Sequence, residues 1–162
     1  MHYSGEMPSA PVPITGCTCD RLRKLTRRIT QHYDVRLAPT GLRVTQYSLL
    51  AHLVHAGPTT MSALARLTEM DRTTLTRSLK PLVDAGFVEV AAGADARSRV
   101  VSATARGREA RSSARELWRR AQDEVNRALG TDQVATLHAL LDHSLGQFND
   151  RVRGRAARER RP

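Results

Sequence analysis

Three groups of residues in this chain have the types and spacing for chemistry. Between Asp71 and Val83, Arg72, Thr73, Thr74, Thr76, Arg77 and Lys80 alternate with Leu75, Leu79, Leu82 and Val83. Wound at helical period, the leucines and Val83 form one face and the donors the other. Guanidinium, ammonium and hydroxyl groups on the exposed face of a helix can hydrogen-bond base edges and phosphates from within a major groove. Lys80 suits a phosphate, as does Arg66 one helix earlier. The second group, Arg97 and Arg99, sits on a short basic hairpin with Asp95 beside it. A narrow minor groove concentrates negative potential that attracts such arginines, and Asp95 is read as an ion-pair partner that positions Arg97. The third group is Cys17-x-Cys19, followed by Arg21 and Arg23. Positive charge and a helix N-terminus beside the sulfurs suit a redox switch, while a soft-metal site or no chemical role remain open for the same pair.

The elements that must hold these groups can be read around them. Asp71 is a fitting N-cap for the helix that carries the donors, and Gly86 ends it. Pro81 lies inside that helix and predicts a kink that leaves 72–80 as the part entering DNA. Phe87–Ala91 and Arg99–Ala103 read as strands about a turn at Gly93–Ala96, and Thr104 caps a new helix. Upstream, a helix over about 17–37 has an apolar line at Leu22, Leu25, Ile29 and Tyr33. A second helix, near Thr45 to His55, turns Tyr47, Leu50, Leu53 and Val54 inward, and a third, about Thr60 to Leu67, turns Met61, Leu64 and Ala65 inward. Downstream, helices over 104–129 and from Thr131 to about 148 carry continuous apolar stripes. The last stripe is Val134, Leu137, Leu141, Leu145 and Phe148 at heptad-like spacing. The architecture is mostly α with a small β-wing: a winged helix-turn-helix over about 45–103, within one domain over 16–149. Its terminal helices have more apolar surface than so small a lobe can cover, and a homodimer solves this.

The spacing Leu79-x-x-Leu82-x-x-x-Gly86-Phe87-Val88, followed by Asp95-x-Arg97-x-x-x-Val101-x-Ala103-Thr104-x-x-Gly107, resembles the wing signature of the MarR (multiple-antibiotic-resistance regulator) family. Two positions depart from it: Ala103 stands where Leu is usual, and Glu69 stands at a turn where Gly is common. The resemblance implies a homodimeric regulator, read here as a repressor, whose terminal helices intertwine and which binds a pseudo-palindromic operator. It also implies a small aromatic or lipophilic effector between the dimer helices and the DNA lobe, for which Tyr33, Tyr47 and His55 are candidate lining. Peroxide-sensing members use a Cys near the start of the first helix, helped by a Tyr; Tyr33 is the tyrosine further along that helix here.

Composition sets the outer bounds. The chain has 162 residues, 40% of them hydrophobic but only 4% aromatic, so the core of a single domain must be aliphatic. A net charge of +10 points to a polyanionic partner. Residues 150–162 carry six arginines against Asp150 and Glu159, and are read as an Arg-rich tail. Residues 1–15, with Pro8, Pro11 and Pro13, read as a flexible arm. No apolar run is long enough to span a membrane and no secretion signal opens the chain, so a soluble, cytoplasmic protein is expected, with no membrane partner. His52 and His55 lie three apart on one helix but lack a third ligand at matching spacing, so neither metal nor cofactor is expected. No Gly-rich phosphate loop, G-x-S-x-G or H-E-x-x-H occurs, which argues against an enzyme. The rival reading of the high charge is a non-specific architectural nucleic-acid-binding protein.

Overall fold

The computed structural model describes residues 16–93 and 98–159, with side chains as far as Asn149. Helix α1 (Thr18–Leu37) is followed by a short 3-10 turn (Ala38–Thr40), α2 (Val44–Ala56), strand β1 (Thr59–Thr60), α3 (Met61–Leu67) and α4 (Arg72–Asp84). Strands β2 (Val88–Ala92) and β3 (Arg99–Ala103) form the wing, and the long helices α5 (Ala105–Leu129) and α6 (Thr131–Glu159) complete the chain. The sheet has the order β1-β3-β2 and is antiparallel throughout.

Polar side-chain caps start α3, α4 and α5. Asp71 accepts from the Thr74 backbone N–H at 2.9 Å and from the Thr74 hydroxyl at 2.6 Å, which starts α4 where the sequence places it. Thr60 caps α3 by accepting from the Ala63 N–H. Thr104 accepts from the Gly107 N–H at 3.0 Å and donates to the Gly86 carbonyl at 2.7 Å, so one hydroxyl starts α5 and ties it to the turn after α4. Two glycines are required sterically there. Gly86 adopts a φ of +71°, and a Cβ on Gly107 would stand 2.0 Å from the Phe87 carbonyl oxygen.

The core is aliphatic, as the composition requires. Leu37, Leu49, Leu50, Leu53, Leu64, Leu75, Leu82 and Val101 are its largest fully buried side chains, and no charged or polar residue is buried among those described. It joins α2, α3, α4 and the sheet, with Ala114 of α5 at its edge. On α5, the small buried Ala114 and Ala121 leave room for α1 and α2 to pack closely.

Several expectations need correction. Val83 is exposed: Leu75, Leu79 and Leu82 already fill the inward stripe, and one more residue turns the side chain out of it. On α1 only Tyr33 and Leu37 are buried, while Leu22 is exposed and Leu25 and Ile29 are half-buried. Leu49, which lies off the apolar line read for α2, is in the core. Helix α4 carries Pro81 inside it and runs on to Asp84, just before the stop expected at Gly86. Helix α6 does not stop near 148, because nothing there breaks it and the Arg and Ala that follow favour helix. The two-residue strand β1 has no counterpart among the elements expected from the sequence.

Candidate nucleic-acid interface

The outward face of α4 is mainly polar: Arg72, Thr73, Thr74, Thr76, Arg77 and Lys80 are all exposed. Their hydrogen bonding sorts them. The Thr74 hydroxyl is committed to the Asp71 cap, and the Thr76 hydroxyl donates to the Arg72 carbonyl at 2.7 Å, which leaves both oxygens as acceptors rather than donors. Lys80 is held by Asp84, at 2.8 and 3.1 Å to its two oxygens. Among the described residues neither Arg72 nor Arg77 has a carboxylate within ion-pair reach, so their guanidinium donors are the ones available for a new partner. The hydrogen bonds from Thr74 hold the Asp71 carboxyl below the usual pKa of a carboxylate, which keeps this exposed cap ionised and aligned with the α4 N-terminus.

Arg99, the first residue of β3, comes to the same place from the wing. With Arg72, Arg77 and Lys80 it lines a groove of about 430 Å³ between α4 and the sheet, floored by Met61, Leu79, Val83 and Val90. The exposed Val83 and Val90 are thus the floor of a cationic groove, a feature that sequence periodicity could not supply. At the far end of the wing the Gly93 N–H donates to the Ser98 carbonyl at 2.9 Å and closes the hairpin. Asp95 and Arg97 lie outside the described residues.

The other candidate residues are only partly brought together. Tyr33 on α1 and Tyr47 on α2 both pack against Trp118 of α5, with ring centroids 6.4 and 5.7 Å away. Both tyrosines are buried, the Tyr33 hydroxyl donates to Gln122 Oε1, and burial raises the pKa of both phenols. His55 is exposed and stands eight residues beyond Tyr47 on α2, away from this aromatic seam. Further along the α1–α5 seam, Glu124 accepts from Arg36 Nε at 2.8 Å and lies 3.1 Å from His32 Nε2. These contacts span some ninety residues of sequence and have no local signal.

Cys17 and Cys19 are free and exposed at the start of α1, Cys17 as its N-cap residue. Tyr33 lies sixteen residues on, about 24 Å along the helix axis, so within one chain it cannot touch either sulfur. Among the described residues no three His, Cys, Asp or Glu side chains group as a metal site, and no helix is long and apolar enough to cross a membrane.

A three-helix lobe with an antiparallel wing and a cationic recognition helix defines a winged helix-turn-helix DNA-binding protein. Residues 40–98 match the MarR family model. The DNA complex of the transcriptional regulator MosR from M. tuberculosis is 39% identical with a TM-score of 0.67, covering 80% of this chain and 98% of that one. A second structure of MosR from M. tuberculosis is 36% identical with a TM-score of 0.68, over 82% and 98% of the two chains. A cysteine-to-serine mutant of MarR from E. coli, complexed with operator DNA, is 26% identical with a TM-score of 0.71, over 78% and 92%. No curated protein matches the chain. The chain belongs to the MarR family and is a DNA-binding transcription regulator.

Proposed function

We propose that the chain is a homodimeric repressor that places α4 of each subunit in the major groove of a pseudo-palindromic operator. The observation that carries this reading is the convergence of Arg72, Arg77, Lys80 and Arg99 on one exposed groove between α4 and the wing. In it, Arg72, Thr73 and Arg77 reach base edges and phosphates, Thr74 and Thr76 serve as acceptors, and Lys80 exchanges Asp84 for a phosphate. Arg97, which Asp95 would position, and Arg99 extend the contact to the adjacent minor groove. Dimerisation is supported by Leu140, Leu141, Leu145 and Phe148, which α6 leaves exposed in the single chain.

Release is proposed to follow either a small aromatic or lipophilic effector at the Tyr33–Trp118–Tyr47 seam, without His55, or oxidation at Cys17 and Cys19. The exposed position of both sulfurs favours the second. Selection of duplexes from a random pool, followed by titration of the selected sequence against random DNA, tests the repressor reading. An affinity ratio of at least ~10³ is expected of a specific regulator. A ratio near one would leave the architectural reading instead. Repeating the titration with peroxide-treated protein and with both cysteines changed to Ser decides the signal. Equal affinities in every state would remove the cysteines from it.

A further inference from the structure

We infer that the C-terminal continuation of α6, residues 151–159, is a second DNA contact that grips duplex phosphates without reading sequence. The inference rests on the DNA-binding reading above but not on the identity of any operator. Its first ground is the path of the chain. Helix α5 starts on the DNA-binding lobe, where Thr104 bonds the Gly86 carbonyl, and leads away from it for 25 residues, about 37 Å. After Gly130, α6 returns. Asn149 Nδ2 donates to Glu69 Oε1 at 3.3 Å, and Glu69 lies two residues before the Asp71 cap of α4. The end of α6 is therefore set beside the N-terminus of the recognition helix, and the helix continues to Glu159, about 15 Å further in the same direction.

The second ground is what that continuation is made of. Arg151, Arg155 and Arg158 fall at i, i+4 and i+7 on one face, and Arg153 falls on the opposite one, with Asp150 and Glu159 only at the ends. Like charges four apart destabilise a helix in water, and neutralisation by phosphates removes that penalty. The same composition disfavours an anionic bilayer as the partner. Val152 is the single large apolar residue among Gly154, Ala156 and Ala157, so the segment lacks the apolar face that a surface helix buries in lipid. An arginine-rich helical segment that continues past the N-terminus of a major-groove helix suits the phosphate backbone of the duplex that helix enters.

The test uses the full-length chain and a variant in which Arg151, Arg153, Arg155 and Arg158 are all changed to Gln. Binding to a selected operator and to a random duplex of equal length is followed by fluorescence anisotropy from low to high salt. The variant should lose affinity for both duplexes by the same factor, on the order of tenfold or more, leaving their ratio unchanged. Its slope of log K against log salt should be shallower by about 2–4 per chain, at ~0.9 per phosphate contact. Four Lys at the same positions should restore the slope, which separates charge from helix packing. Equal slopes for variant and parent on both duplexes overturn the inference. So does capture by phosphatidylserine vesicles that is lost in the variant while its DNA slope stays unchanged. A chain that selects no sequence would defeat the repressor reading alone, because the slope on random DNA still decides whether residues 151–159 contact phosphates.

Discussion

At the scale of single residues, the cationic face of α4 is not uniform, and its members should differ when removed. Arg77 has its donors available, so Arg77→Ala should weaken operator binding by about 1–3 kcal/mol in anisotropy titrations, as expected for a base or paired phosphate contact. Lys80 already holds Asp84, so its phosphate contact replaces an existing ion pair. Lys80→Ala should therefore have a smaller effect than Arg77→Ala and should change affinity alike on operator and random DNA. An identical loss for both substitutions would mean the Lys80–Asp84 pair is not kept in solution. The Asp71 cap adds a dependence on pH. Its pKa is lowered in the folded state, so the stability it contributes is complete above the ordinary carboxylate range and is lost as pH falls through the folded value. Asp71→Ser keeps an N-cap oxygen without the charge. The stability difference between parent and this variant, from denaturant titration, should be largest near neutral pH and shrink below about pH 4. A difference that stays constant with pH would show that the carboxylate's charge is not what matters.

At the scale of elements, the joints were legible where a local residue makes them. Asp71 and Thr104 announce helix starts because a cap is a contact across three residues, and Gly86 announces a stop because only glycine takes its backbone readily. What escaped was fixed by distant packing. Strand β1 is two residues long and exists only because β3 pairs with it, Thr59 opposite Val101. Val83 is apolar but faces the groove, which periodicity alone cannot distinguish from facing the core. Glu69 was marked by its departure from glycine, and it adopts a φ of +52°. The departure at Ala103 has a plain counterpart as well, since it is buried opposite Val88 in the sheet. The tightest joint is Gly107 against the Phe87 carbonyl. Gly107→Ala must push α5 away from the start of the wing, and should destabilise the fold by about 1–3 kcal/mol in chemical denaturation. A neutral effect would mean the α5–wing joint is looser than its geometry.

At the scale of the whole molecule, the cores of the two ends differ in kind. The lobe buries leucines from four elements around Leu50 and Leu64, whereas α6 buries Val134, half-buries Leu137 and leaves Leu141, Leu145 and Phe148 exposed. Leu145 is 50% exposed and Phe148 71% exposed in the single chain, a hydrophobic strip that monomeric proteins seldom leave in water. Because these side chains contribute little to the monomer's own core, a charge placed among them should act on association rather than on folding. Leu145→Asp would bury an unpaired carboxylate at the proposed interface, which costs several kcal/mol unless the subunits separate. The expected result is a folded chain with near-parental helical circular dichroism that sediments as a monomer. Its operator affinity should fall much further than its affinity for a single half-site, since two recognition helices must meet the duplex together about one helical turn apart. A variant that still sediments as a dimer of parental stability would place the subunit contact elsewhere than on this face of α6.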